Sequence, residues 1–148
     1  MDGELREPRG NYETAGYKHS ELTGRIIEIF FDVYNVLGYG FLEKVCENAL
    51  AMRLRQAGMS VMQQQPIPVY FDGQLIGEYF ADLVVNDLVI IELKAAKELA
   101  DEHEAQLLHY LRATSYEVGL LLNFGSSPKV VRKAYDNQRK PGLPRTDH

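Results

Sequence analysis

Two strand-length apolar segments flank Asn86 and Asp87, and this arrangement constrains the fold more than any other feature of the sequence. The first segment is LIGEYFADLVV and the second is LVIIELKAA. Such β-branched and aromatic residues fit a pleated, buried surface, and Asn and Asp favour tight turns between strands. The sequence therefore predicts a β-hairpin whose second strand carries Glu92 and Lys94 among apolar residues.

Charged residues interrupt the predicted core at Glu43, Asp82, Glu92 and Lys94. Residues two apart in a strand point to the same face, so Glu92 and Lys94 point the same way. A buried carboxylate is costly unless it is paired or bound to a metal, and hard divalent ions such as Mg²⁺ prefer carboxylate oxygens. The pattern indicates a cation site, although Glu92 and Lys94 taken alone more often form a solvated face or a local ion pair.

The register of the hairpin bears directly on this hypothesis. A two-residue turn would pair Asp82 with Ile91 and turn its side chain away from Glu92. A three-residue loop from Asn86 to Leu88, or a bulge, would place Asp82 opposite Glu92. The cation hypothesis therefore predicts an irregular hairpin, which the sequence alone does not require.

Hydrophobic periodicity predicts helices before and after the hairpin. In chain order we expect helices near 21–37 and 41–56, strands at 61–71, 75–85 and 88–96, a helix at 101–113, a strand at 116–125 and a short final helix at 127–135. Pro66 and Pro68 indicate an edge or bulged first strand. The predicted fold class is α/β (α+β), in the order α-α-β-β-β-α-β, with a mixed four-stranded sheet flanked by helices.

The length and composition fit one globular domain. The chain has 148 residues, of which 45% are apolar, and a formal charge of −5 that argues against nucleic-acid binding by bulk charge. Its single cysteine, Cys46, excludes an internal disulfide. With no signal-peptide pattern and no bilayer-length apolar run, we expect a cytoplasmic protein with a flexible arm at 1–20, a domain at 21–135 and a polar tail at 136–148.

Three blocks in order resemble the GxxExxY protein family, a branch of the PD-(D/E)XK nuclease superfamily. They are GFLEKVC from Gly40, ADLVVNDLVIIELKA and HEAQLLHYLRAT, and the resemblance covers about Leu22 to Phe124. Cys46 stands where the signature has tyrosine, and Ala81 stands where the superfamily usually has proline before the aspartate. The resemblance implies a restriction-endonuclease-like core.

The same resemblance implies a Mg²⁺- or Mn²⁺-dependent phosphodiesterase that acts on nucleic acid, with DNA favoured over RNA. The implied metal ligands are Asp82, Glu92, the backbone carbonyl of Leu93, and Glu43. Lys94 would orient the attacking water or stabilise charge on the phosphate, and Gln106 and Tyr110 match the family's QxxxY helix. The implied catalytic residues are Glu43, Asp82, Glu92, Lys94, Gln106 and Tyr110.

Other interpretations stay open at this point. The chain could be a catalytically silent nucleic-acid- or protein-binding module that keeps the nuclease fold. It could also assemble, for example as a homodimer, through the aromatic side chains Phe30, Phe31 and Tyr34. Glu43 alone could be a first-turn glutamate favoured by the helix dipole. Glu47 is expected at the surface.

Overall fold

A computed structural model describes residues 18–144, so most of the arm predicted at 1–20 and the last four residues of the tail lie outside the description. The elements are α1 (Ser20–Leu37), α2 (Glu43–Gln56), β1 (Val61–Phe71), β2 (Gln74–Val85), β3 (Val89–Lys94), α3 (Asp101–Ala113), β4 (Val118–Phe124), β5 (Pro128–Ala134) and a short 3₁₀ helix (Asn137–Arg139). None of the helices in this range is both long and apolar enough to cross a membrane.

One mixed sheet forms the centre of the molecule, with the strand order β1-β2-β3-β4-β5. Strands β3 and β4 run parallel, and the other neighbouring pairs run antiparallel. Helix α3 connects the two parallel strands, because a parallel pair needs a crossover connection. Strand β1 lies at an edge, as its prolines predicted. The predicted α+β class, with a mixed sheet flanked by helices, is confirmed.

The short final helix predicted at 127–135 is wrong, because these residues form β5. Ser127 and Pro128 resemble the start of a helix, but long-range pairing overrides this local preference. Strand β4 is buried along its whole length, and β5 supplies hydrogen bonds to its outer edge. Val130 and Val131 of β5 are buried in turn. The sheet therefore has five strands rather than four.

The core between the sheet and helices α1 and α2 contains the aromatic residues that were considered for assembly. Phe30 is fully buried and packs edge-on against Phe124, with ring centroids 5.0 Å apart. Tyr34 donates a hydrogen bond from its hydroxyl to the Gly125 carbonyl at 2.5 Å, and Phe31 is half-buried against the same core. Phe30 is therefore a core residue and cannot contribute to an assembly surface, whereas Phe31 and Tyr34 are only partly buried.

The hairpin between β2 and β3 has an odd-numbered loop. Val85 pairs with Val89, which leaves Asn86 to Leu88 as a three-residue connection. The first two loop residues adopt the left-handed conformation that Asn and Asp tolerate better than most residues. This register places Asp82 opposite Glu92, as the cation hypothesis requires.

The segment predicted as a polar tail contacts the domain through Lys140. Lys140 is only 3% exposed. Its ammonium donates hydrogen bonds to the carbonyls of Thr114, at 3.0 Å, and Tyr116, at 2.6 Å. Burial lowers the pKa of Lys140 to about 8. Lys140 therefore attaches this segment to the domain.

The chain that follows β3 is fixed to β4 by two residues. The side chain of Asn123 is fully buried; it accepts a hydrogen bond from the Ala96 N–H at 3.0 Å and donates one to the Ala96 carbonyl at 2.9 Å. A Cβ atom on Gly125 would lie 2.0 Å from the Ala96 oxygen. Only glycine permits this close approach, which fixes the backbone just beyond Lys94.

We expect Gly125→Ala to lower the free energy of unfolding, because its methyl group would displace the Ala96 carbonyl. Overpacking of this kind typically costs about 1–3 kcal/mol, sometimes more. Gly24→Ala is a matched control within α1, where an added Cβ has nothing within 4 Å. It should raise the free energy of unfolding by about 0.5–1 kcal/mol. Urea denaturation measures both, and equal effects would contradict the packing argument.

Candidate active site

The backbone pairing of β2 with β3 stops just before the two predicted metal ligands. The last backbone pair is Leu83 with Ile91. Beyond it, the Asp82 N–H donates to Oε2 of Glu92 at 3.3 Å, and the Leu93 N–H donates to Oδ2 of Asp82 at 2.8 Å. Each carboxylate therefore takes a backbone hydrogen bond from the opposite strand. These reciprocal bonds bring Asp82 and Glu92 together.

The pairing of β1 with β2 is also irregular at the position of Asp82. Gln63 pairs with Leu83 and Gln65 pairs with Ala81, but Gln64 has a left-handed backbone (φ 51°) and no pairing with Asp82. Ala81 packs on the α3 side of the sheet, whereas Leu83, two residues on, packs on the side of α1 and α2. In a regular strand these two side chains would share a face. Asp82 thus lies where β2 switches faces.

Glu92 faces an open cleft of about 540 Å³ on the α3 side of the sheet. The Tyr79 hydroxyl donates a hydrogen bond to Oε2 of Glu92 at 2.6 Å. The Tyr79 ring stacks on Tyr110 of α3, with centroids 3.5 Å apart, and Gln106 donates to the Tyr110 hydroxyl at 3.3 Å. The cleft is lined by Val69, Ile76, Gly77, Glu78, Tyr79, Phe80, Glu92, Gln106 and Tyr110.

Sequence reasoning selected Gln106 and Tyr110 but missed Tyr79. The side chain of Tyr79 is largely buried between the sheet and α3, and Tyr79 pairs with buried Ile67 of β1. Burial, followed by the charge of Glu92, raises the pKa of Tyr79 well above its usual value, so its hydroxyl stays a donor. The available signal was its alternation with Ala81 along β2, which places a polar aromatic on the face that α3 covers.

Both carboxyl groups have raised pKa values because they are withdrawn from water. Burial is the main cause for Glu92, whose pKa rises to about 7, and the charge of Asp82 adds to it. Burial also raises the pKa of Asp82, while hydrogen bonds from Leu93 and Gln64 act in the opposite direction. A nearby divalent cation would favour the charged form of both groups.

The donor set fits Mg²⁺ or Mn²⁺ in its chemistry. Among residues 18–144, no three His, Cys, Asp or Glu side chains are grouped so that they could hold a metal ion together. Mg²⁺ usually keeps several waters and uses only one or two protein carboxylates. Asp82 and Glu92 supply such a pair, and the backbone of Leu93 adjoins both.

Lys94 is the cation nearest in sequence to this pair. It is half-buried at the end of β3, two residues after Glu92, and it lowers the pKa of Glu92 less than burial raises it. Its ammonium makes no salt bridge with any other residue of the described range. Its charge therefore remains available to an anionic ligand.

The burial of the two glutamates of α2 is the reverse of what the sequence predicted. Glu43, expected to be buried, is exposed, although its Oε2 accepts a hydrogen bond from the Ala95 N–H at 3.3 Å. Glu47, expected at the surface, is 3% exposed and accepts hydrogen bonds from Gln63 and Gln64. Both lie on the inner side of the helix, but Gln63 and Gln64 of β1 reach Glu47 and make no hydrogen bond with Glu43. The periodicity of α2 could not show this.

The match to a protein family agrees with the fold. A family model described as PD-(D/E)XK nuclease superfamily matches residues 20–134. A solved structure, an alkaline exonuclease from Laribacter hongkongensis, is similar with a TM-score of 0.48 and 13% identity, covering 88% of this chain and 76% of that chain. No curated protein matches the chain by sequence.

The raised pKa of Glu92 predicts how stability depends on pH when a chelator removes metal. Between about pH 4.5 and about pH 7, the folded protein keeps a proton that the unfolded chain has lost. The resulting stabilisation is complete below pH 4.5 and is lost as pH rises through 7. At about 1.4 kcal/mol per pKa unit, the change amounts to up to about 3 kcal/mol.

Thermal unfolding in EDTA across this pH range measures the effect. Glu92→Gln should flatten the decline of the unfolding temperature with rising pH, because the side chain no longer titrates. The exposed Glu28 on α1 offers a matched control, and Glu28→Gln should leave the decline intact. A decline that persists unchanged in Glu92→Gln would contradict the assignment to this residue.

Proposed function

Because this chain belongs to the PD-(D/E)XK nuclease superfamily, we propose that it is a Mg²⁺- or Mn²⁺-dependent nuclease that hydrolyses phosphodiester bonds, with DNA as its substrate. The observation that carries the proposal is the convergence of Asp82 and Glu92 at the end of the β2–β3 pairing, with Lys94 two residues further on. The finer family assignment to the GxxExxY branch, based on Gly40 and Glu43, is part of this proposal.

In this proposal the metal is held by Asp82, Glu92 and the backbone carbonyl of Leu93. When bound, such an ion lowers the pKa of water and offsets charge that develops on the phosphoryl group. The half-buried pair of carboxylates supports this role, because burial raises both pKa values and a bound cation would favour their charged forms. Glu43 contributes from α2 through its hydrogen bond to the Ala95 N–H, which fixes the chain beyond Lys94.

Lys94 stabilises charge on the phosphate. The register across β3, β4 and β5 places Lys94, Asn123 and Lys129 in one row, so two lysines flank a buried asparagine at this edge. A local positive edge attracts a phosphate backbone even on a chain of charge −5. Gln106 and Tyr110 line the cleft beside Glu92, where they contact the substrate.

We expect Lys94→Ala to reduce cleavage of a mixed DNA substrate in Mn²⁺ by on the order of a hundredfold or more. The reason is that one donor aimed at developing charge typically contributes a few kcal/mol to the transition state. Mn²⁺ binding should be largely retained, because both carboxylates remain. Gel-based cleavage assays and calorimetric titration with Mn²⁺ measure the two effects separately.

A matched control is Arg25→Ala, which removes an exposed cation from α1 and should leave cleavage unchanged. Equal cleavage by wild type and Lys94→Ala would mean that the activity arises elsewhere. A wild-type protein that binds DNA but cleaves neither single- nor double-stranded DNA or RNA, in either metal, would favour the catalytically silent binding module.

A further inference from the structure

Gln64 adopts a backbone conformation that a residue with a side chain rarely holds inside a strand. Its φ is 51°, in the left-handed region that favours glycine. The residues on either side of it pair normally with β2, so the distortion is confined to the position opposite Asp82. Strain of this kind persists only where surrounding contacts maintain it, and it concentrates at functional sites.

The side chain of Gln64 connects two carboxylates. Its amide nitrogen donates to Oε1 of Glu47 at 2.9 Å and to Oδ1 of Asp82 at 3.2 Å. An amide NH₂ group has two hydrogens, so one nitrogen can serve both acceptors. Gln64 therefore joins helix α2 to the predicted metal ligand through its side chain.

Glu47 is a fixed anchor for this bridge. It is 3% exposed, and its second oxygen accepts hydrogen bonds from Gln63 at 2.7 Å and Lys44 at 3.2 Å. With three donors on one buried carboxylate, its charge is compensated within the protein. Glu47 thus holds the Gln64 amide in place, and its charge is balanced without a metal ion.

The bridge leaves Asp82 with one defined orientation. Oδ1 takes the Gln64 amide while Oδ2 takes the Leu93 N–H at 2.8 Å. Each carboxylate oxygen can accept two hydrogen bonds or ligands, so each retains capacity for a cation. An Asp82 side chain without the Gln64 contact would be held by one oxygen only and would be free to turn.

We propose that Gln64, anchored by Glu47, is a positioning residue that holds the Asp82 carboxylate in the orientation that binds the divalent cation. The inference rests on the proposed function and extends it to two residues that the nuclease motif does not contain. The inference also explains the strained backbone of Gln64, because this conformation directs the amide towards both carboxylates. The competing explanation is that the bridge merely attaches α2 to the sheet.

Two substitutions at this one position separate these explanations. Gln64→Ala and Gln64→Gly both remove the amide, but only glycine relieves the left-handed strain. The glycine variant should therefore unfold at a higher temperature than the alanine variant in EDTA. If Gln64 positions Asp82, both variants should bind Mn²⁺ about 10–100-fold more weakly than wild type, to the same extent despite their different stabilities.

Asp72→Gly is a matched control, because Asp72 has nearly the same left-handed φ, 52°, in the turn between β1 and β2. It should leave Mn²⁺ affinity unchanged. Calorimetric titration with Mn²⁺ and thermal unfolding in EDTA supply both measurements. Wild-type affinity in Gln64→Gly, or affinities that follow stability across the two variants, would overturn the positioning role.

The result is separable from the proposed nuclease activity. If wild type cleaves DNA while both Gln64 variants bind Mn²⁺ as wild type does, the positioning role fails and the nuclease function stands. If wild type binds Mn²⁺ without cleaving any nucleic acid, and both Gln64 variants bind it more weakly, the positioning role stands and the nuclease function fails.

Discussion

The site depends on one local interruption of the sheet, where side chains replace backbone partners. Beyond Leu83, the N–H groups of Asp82 and Leu93 bond to carboxylates on the opposite strand rather than continue the ladder. Buried backbone donors need partners, and here acidic side chains supply them. Each carboxylate is fixed by the strand that carries the other. The like charges of Asp82 and Glu92 are thereby held together, although they repel each other.

This arrangement leaves an electrostatic imbalance that the protein does not remove internally. Burial raises the pKa values of Asp82 and Glu92, the charge of Asp82 raises that of Glu92 further, and the hydrogen bond from Tyr79 to Glu92 offsets only part of the effect. Lys94 adds one positive charge at the end of the same strand. Local strain and unfavourable charge are typical of sites that gain stability from a ligand. A divalent cation would supply the missing positive charge.

The rest of the fold gives this strained region a rigid support. Strand β4 is buried throughout, and Asn123 and Gly125 fix the chain that leaves β3. On the other side, Glu47 ties α2 to β1, and α3 carries Tyr110 onto Tyr79. Sites built on packed strands and helices hold their geometry better than sites on loops. The irregular residues are thus surrounded by regular, well-packed elements.

The sequence by itself determined the α+β class, the hairpin strands, helix α3 and the placement of Glu92 and Lys94 on one strand, because these follow from local periodicity. Tertiary structure decided what depends on distant contacts. Strand β5 forms because β4 needs a partner at its outer edge. Glu47 rather than Glu43 is buried because two glutamines of the distant strand β1 donate hydrogen bonds to Glu47. Tyr79 meets Glu92 because β2 switches faces at Asp82, and no pattern within one strand can specify that change.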